Sequence, residues 1–116
     1  QTCALPIWYS WGAVTFDALY TLQGLLHSYS GDQSGNGDSN LGRYSNPAMD
    51  ALIAKIKVER DLVLRDRLIR DALDIVVREL PVVVLHQPVI PWAMRATVDA
   101  DVSPNNIPAF DRFRIR

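Results

Sequence analysis

The sequence predicts an α/β fold, and three observations carry that expectation. Apolar residues recur at helical spacing from Met49 to Ile56 and again from Leu64 to Val76, marking two amphipathic helices. Directly after the second comes Pro81-Val82-Val83-Val84-Leu85-His86, an unbroken β-branched run with the pattern of a strand covered on both faces. A shorter helical pattern and a Trp-Gly segment precede them, so the order reads strand, helix, loop, two helices, strands.

The first seven residues, Gln1-Thr2-Cys3-Ala4-Leu5-Pro6-Ile7, are similar to the translation of a sequencing-adapter oligonucleotide. They are set aside from fold reasoning as a tag would be, and the reading frame is expected to be truncated upstream of them. Cys3 is the one cysteine, so no internal disulfide forms within these residues, and its place in the adapter-like stretch argues against a reactive thiol. Residues 8–14, aromatic and apolar around Gly12, read as a short strand. Leu19, Leu22, Leu25 and Leu26 then fall at helical spacing, with Thr15 or Asp17 positioned to cap the helix. Residues 28–46, rich in Ser, Gly, Asp and Asn, make a long loop of the kind that is functional or disordered.

Asn46 is the N-cap and Pro47 the first helical residue of the next element, whose stripe is Met49, Leu52, Ile53 and Ile56. The following helix is expected over residues 60–80, with Leu64, Leu68, Ala72, Ile75 and Val76 buried, Arg67/Asp71 and Arg70/Asp74 paired on its solvated side, and Pro81 as its stop. Pro88 and Pro91 confine residues 89–94 to an edge strand or an extended crossing segment. Residues 97–102 can add a short strand, and the tail is irregular until 110–115.

Composition excludes several functions. With 12 Lys and Arg against 13 Asp and Glu, and no basic patch, the chain lacks the surface a nucleic-acid binder needs. No apolar run is long enough to span a membrane, and no signal peptide is visible at the start. His27 and His86 are far apart and carry no recognised ligand spacing, so no metal site and no cofactor is expected. A Ser-His-Asp set can be drawn from Ser28 or Ser30, His86 and Asp17, but no nucleophile-elbow motif accompanies it, and His86 reads as a core or hinge histidine. An enzyme is not expected.

One ordered series of short segments is distinctive. Trp11-Gly12 leads towards an acid and a helix. The loop Asn40-Leu41-Gly42-Arg43-Tyr44-Ser45-Asn46-Pro47 opens into Met49-Asp50-Ala51-Leu52-Ile53. A charged helix ends in Glu79-Leu80-Pro81, and Leu85-His86-Gln87 is followed by Trp92-Ala93-Met94-Arg95. This series, over roughly residues 9–98, resembles the C-terminal part of family 5 extracellular solute-binding proteins, the peptide- and nickel-type receptors of ABC importers. Phe16, where a small residue is expected before the acid, Pro91 and the tail from Ser103 depart from that pattern.

The resemblance implies a C-terminal fragment of a two-lobed periplasmic-binding-protein fold of type II-like form. Residues 8–98 would be a lobe segment with crossing strands and residues 99–116 a tail. It implies a monomeric full-length receptor, periplasmic or lipoprotein-anchored at the outer face of the cytoplasmic membrane. Such a receptor captures short peptides by lobe closure and delivers them to ABC permease subunits. A nickel chelate, glutathione or an oligosaccharide is the alternative cargo, and a small helical interaction module built on residues 47–80 is the alternative of a different class.

Asp17 is the implied partner of a peptide ammonium, with a helix-start carboxylate as the competing reading. Of Trp8, Tyr9 and Trp11, one is expected to line the cleft and the others to pack; Trp11 is carried forward as the candidate. Asn40 and Arg43 complete the candidate set: the guanidinium would hold a ligand carboxylate or clamp the loop, against a structural role bonding loop carbonyls. Tyr44 reads as a packing anchor. Because residues 82–85 need covering strands that this sequence scarcely supplies, the 116 residues alone are expected to be poorly stable, with that run as an aggregation-prone edge.

Overall fold

The computed structural model describes residues 7–104 and 106–116; the adapter-like segment with Cys3 lies outside them, Ile7 apart. Asp17 starts the first helix, α1 (Ala18–Thr21), by accepting the Leu19 N–H at 2.8 Å, one of the donors that a helix start leaves open. α1 runs into a π-helical turn, Leu22–Leu26, whose Leu22, Leu25 and Leu26 are all buried. The helix at this position therefore forms, but its second half winds wider than an α-helix. Gly24 stands in that turn where a Cβ would lie 2.9 Å from the Trp11 ring, so the indole packs directly on the backbone.

The helix α2 (Pro47–Val58) begins where the sequence predicts. Asn46 accepts the N–H groups of Ala48 at 2.8 Å and Met49 at 3.3 Å, and Pro47 fills the first turn, where no donor is missed. Met49, Ile53 and Ile56 are buried, with Leu52 packed beside them. The helix α3 (Leu62–Glu79) starts later than residue 60, because the Glu59 carboxylate takes the Arg60 and Asp61 N–H groups and Asp61 caps Val63 and Leu64. Ala72 and Ile75 are buried, and Leu68 and Val76 pack against the core. Leu64, expected inside, lies in the first turn beyond that core and is 45% exposed.

Of the two surface pairs expected on α3, neither forms; Arg70 bonds Asp66 at 2.9 Å instead of Asp74. The observed order, acid before base by one turn, is the one the helix dipole favours. Leu80 ends the helix in the left-handed region at φ 47°, its N–H on the Val76 carbonyl, and Pro81 prevents continuation.

The strands expected at residues 8–14 and 81–86 are not formed, and residues 89–94, expected as an edge strand or an extended crossing segment, pair with no strand. Among the described residues no neighbouring strand pairs with them, and a strand without a ladder leaves its N–H and C=O groups to water. Val82 still packs on the core, but Val83 is 71%, Val84 85% and Val89 92% exposed. His86, read as a core or hinge residue, is exposed for the same reason. The short strand expected near residues 97–102 does form: β1 (Val98–Asp99) pairs antiparallel with β2 (Arg114–Ile115), Val98 opposite Ile115. A 3-10 turn, Phe110–Arg112, precedes β2, and two exposed ion pairs, Arg112–Asp101 and Arg116–Asp99, tie the tail to itself.

The result is one core, in which α1 and the π turn pack on α2 and α2 on α3, followed by an open C-terminal third. The radius of gyration is 17.9 Å, against about 13 Å for a compact domain of this length. The accessible surface is 9211 Å², where a compact monomer of this mass exposes about 6,300 Å². Much apolar surface is thus left without a covering layer.

Candidate functional site

The long loop is held by one buried polar side chain. Asn40, 3% exposed, donates from Nδ2 to the His27 carbonyl at 3.0 Å and to the Tyr44 carbonyl at 2.6 Å, while its Oδ1 accepts the Tyr44 N–H at 2.9 Å. The amide closes the 40–44 turn on itself and ties it to the end of the π turn. With both protons and the oxygen engaged inside the protein, Asn40 acts as a fixed strut.

That strut delivers Tyr44 and Asn46 to the end of α3. The Tyr44 hydroxyl donates to Glu79 Oε2 at 2.6 Å, and Asn46 Nδ2 donates to both Glu79 oxygens at 2.9 and 3.0 Å. Glu79 sits unfavourably at the C-terminus of its own helix, but its charge lies against the N-cap of α2, where the helix dipole favours it. The hydrogen bond from Tyr44, then that from Asn46, holds the Glu79 carboxyl below its usual range. Burial, with Glu79 adding to it, pushes the Tyr44 hydroxyl up. On the other side of the loop Asp50, in the first turn of α2, accepts the Ser28 N–H at 2.8 Å and faces His27 Nδ1 at 3.5 Å.

Arg43 lies over the Tyr29 ring, 3.7 Å from its centroid, in the left-handed region at φ 54°. Its expected bonds to loop carbonyls are replaced by this cation–π contact, which keeps the guanidinium on the loop surface. Asp17 is engaged by Arg65 of α3, whose Nη2 reaches Oδ1 at 2.9 Å and Oδ2 at 3.0 Å, and by the Leu19 N–H. Arg65, first by its hydrogen bond, and then the Leu19 N–H lower the Asp17 pKa. Asp17 therefore caps α1 and ties it to α3, while its side chain remains 41% exposed and fully ionised at neutral pH. Phe16, before it, is held at φ 56°, a conformation that suits a small residue far better than a bulky one.

Trp11, of the four candidates, lines a groove beside the π turn. Its Nε1–H donates to Thr21 Oγ1 at 3.0 Å and its ring stacks on Tyr20 with centroids 5.2 Å apart. Trp11, Tyr20, Gln23 and Gly24 form one wall of a groove of about 300 Å³, and Gly35, Asp38 and Ser39 form the other. The loop is fastened across it by Gly37 and Ser39 N–H groups on the Gln23 and Gly24 carbonyls, at 2.9 and 3.0 Å, and by Gln23 Nε2 on Ser34 and Asn36. Gly37 has φ 67°, and a Cβ there would lie 2.5 Å from the His27 carbonyl, so only glycine allows this closure.

A larger depression of about 500 Å³ lies on the tail between Asp99, Asp101, Asp111, Arg112 and Arg114. Its Asp101 and Arg112 neutralise each other, and apart from Ala100 the lining is charged, with no aromatic side chain. The smaller groove is the better binding site on chemical grounds. Among the described residues no group of three or more His, Cys, Asp or Glu is arranged to hold a metal.

Of Asp17, Asn40, Arg43 and Trp11, only Trp11 lines the groove or the tail depression. Tyr20, Gln23 and Asp38 of the groove, and Arg65 and Glu79 of the ties, are not legible as site residues in the sequence. Gly24 inside a leucine pattern was a usable signal for the first group, since an isolated helical glycine marks a close approach. Comparison with known families, curated proteins and solved structures finds no match to this chain.

Two outcomes follow from the geometry. Asn40→Ala leaves the Tyr44 N–H and two carbonyls unpaired and is expected to cost about 2–3 kcal/mol in urea unfolding; Asn40→Asp, of nearly the same shape, faces two carbonyls with a charge and is expected to cost at least as much. An unchanged midpoint in both would contradict the strut. The depressed Asp17 pKa stabilises the fold above the unfolded carboxyl pKa, about 4, and that contribution is lost as pH falls through the lower folded value. Because the carboxylate is partly exposed and screened, Asp17→Asn should cost about 1 kcal/mol or less at neutral pH and nothing once the carboxyl is protonated. A difference that persists in acid would show that charge is not its origin.

Proposed function

We propose that this chain is part of the C-terminal lobe of an extracellular solute-binding protein of the family 5 type. The whole receptor would capture short peptides by lobe closure and present them to ABC permease subunits. One observation carries the reading: an ordered helical body is joined to an apolar run, Val83, Val84, Leu85, Val89, Ile90 and Trp92, that nothing covers. The excess of exposed surface over a compact monomer is on the order of 3,000 Å², the scale on which permanent assemblies bury surface. Such a run is suited to lie between strands of a larger sheet.

Asp17 is the proposed partner of the peptide ammonium. Arg65 keeps it ionised, and its exposed side leaves lone pairs free for a charge-assisted bond. Binding and release require no covalent chemistry from this lobe. A nickel chelate, glutathione or an oligosaccharide is the alternative cargo of the same architecture. The self-contained core of α1, α2 and α3 favours a second reading, a small helical interaction module, in which the C-terminal third is an appendage.

The test starts from the genomic reading frame upstream of the Trp8 codon. The frame is expected to continue for several hundred codons to an export signal, and its product to bind tripeptides by calorimetry. Acetylating the peptide α-amino group, or Asp17→Asn, should weaken binding by roughly tenfold or more, the value of one charge-assisted hydrogen bond. A frame that opens close to Trp8, or equal affinity for free and acetylated peptides, would overturn the reading.

A further inference from the structure

The groove between the π turn and the 35–39 segment has an uneven balance of hydrogen-bonding groups. The indole N–H of Trp11 is used by Thr21, and the Gln23 amide by Ser34 and Asn36. The Asp38 carboxylate, in contrast, makes no hydrogen bond or ion pair among the described residues. No Lys or Arg lines the groove. What remains to meet a ligand is a carboxylate on one side and two stacked, electron-rich rings on the other, Trp11 and Tyr20. That combination attracts a cation that also donates hydrogen bonds.

The shape is built into the backbone. Gly24 lets Trp11 sit down on the π turn, where a Cβ would come within 2.9 Å of the ring. Gly35 turns the chain at φ 77°, a conformation that favours glycine, beside Gln23 and Asp38. A volume of about 300 Å³ is at the small end of ligand pockets, matched to one side chain and too small for a whole peptide. π turns of this kind recur at functional sites.

We propose that this groove is a subsite for an organic cation, the guanidinium or ammonium end of a basic side chain, held between the Asp38 carboxylate and the Trp11–Tyr20 ring pair. It deepens the peptide-capture reading by naming a side-chain class, and rests on that reading only for the peptide that carries the cation. Asp38 is the specificity determinant and the rings are the platform.

The test uses the 116-residue chain and two probes of one shape, Nα-acetylarginine amide and its uncharged isostere Nα-acetylcitrulline amide. The readout is the Trp11 indole N–H resonance, assigned with Trp11→Phe. The arginine probe is expected to give a saturable shift, and the citrulline probe to bind roughly tenfold more weakly, as loss of one charge-assisted contact requires. Asp38→Asn, on the surface and safe for folding, should lower arginine affinity by a similar factor, and Tyr20→Leu should lower affinity for both probes. Equal binding of the two probes, an unaffected Asp38→Asn, or no saturable shift would overturn the subsite. Capture of neutral and basic peptides alike by the longer product, with no shift here, would remove the subsite and leave capture intact. A saturable arginine shift without peptide capture would do the reverse.

Discussion

The buried amide of Asn40 is the constraint on which the rest of this structure depends. A loop of polar residues has no core of its own, and its backbone groups must find partners or face water. Asn40 supplies three such partnerships from one side chain, joining the end of the π turn to the turn at 40–44. Once that turn is fixed, Tyr44 and Asn46 arrive together at Glu79, and the N-terminus of α2 is locked against the C-terminus of α3. Because Asn46 also caps α2, the residue that starts one helix holds the end of the next. The apolar stripe of α2 supplies the burial energy; the polar strap decides which way the loop runs above it.

The same strap opens the groove. Holding residues 35–39 over the π turn through the Gln23 and Gly24 carbonyls leaves a gap whose floor is glycine and whose walls are rings and a carboxylate. The C-terminal third has no comparable anchor. After Val82 its apolar side chains meet no layer, and the two-residue strands β1 and β2 with their exposed ion pairs contribute little to holding it. The structure is thus a rigid body joined to an apolar run left uncovered among the described residues.

Local chemistry was legible in the sequence where cause and effect lie within a few residues. Asp17 as a cap, Asn46 and Pro47 opening α2, its stripe, and the stop at Pro81 follow from spacing and capping alone. The strands at 8–14 and 81–86 did not follow, because a strand needs a partner and β-branching describes only the readiness to accept one. The long-range ties were out of reach: Arg65 lies 48 residues from Asp17 and Glu79 lies 35 from Tyr44, and no pattern in either segment announces its partner. Asn40 and Arg43 were found as distinctive loop residues, but their engagements, inward for one and over Tyr29 for the other, depend on the folded path of the loop.

The central claim is that residues 18–80 form one strapped body while the apolar segment after Val82 awaits cover. Native-state hydrogen exchange on the full 116-residue chain, resolved by segment, tests it most directly. The account expects slow exchange in α2, α3 and the π turn, together with the Tyr44 N–H held by Asn40, and exchange near the unfolded rate across residues 83–96. Protection of residues 83–96 equal to that of α2 in a monomeric sample would contradict it, for that segment would then have found its cover within this chain.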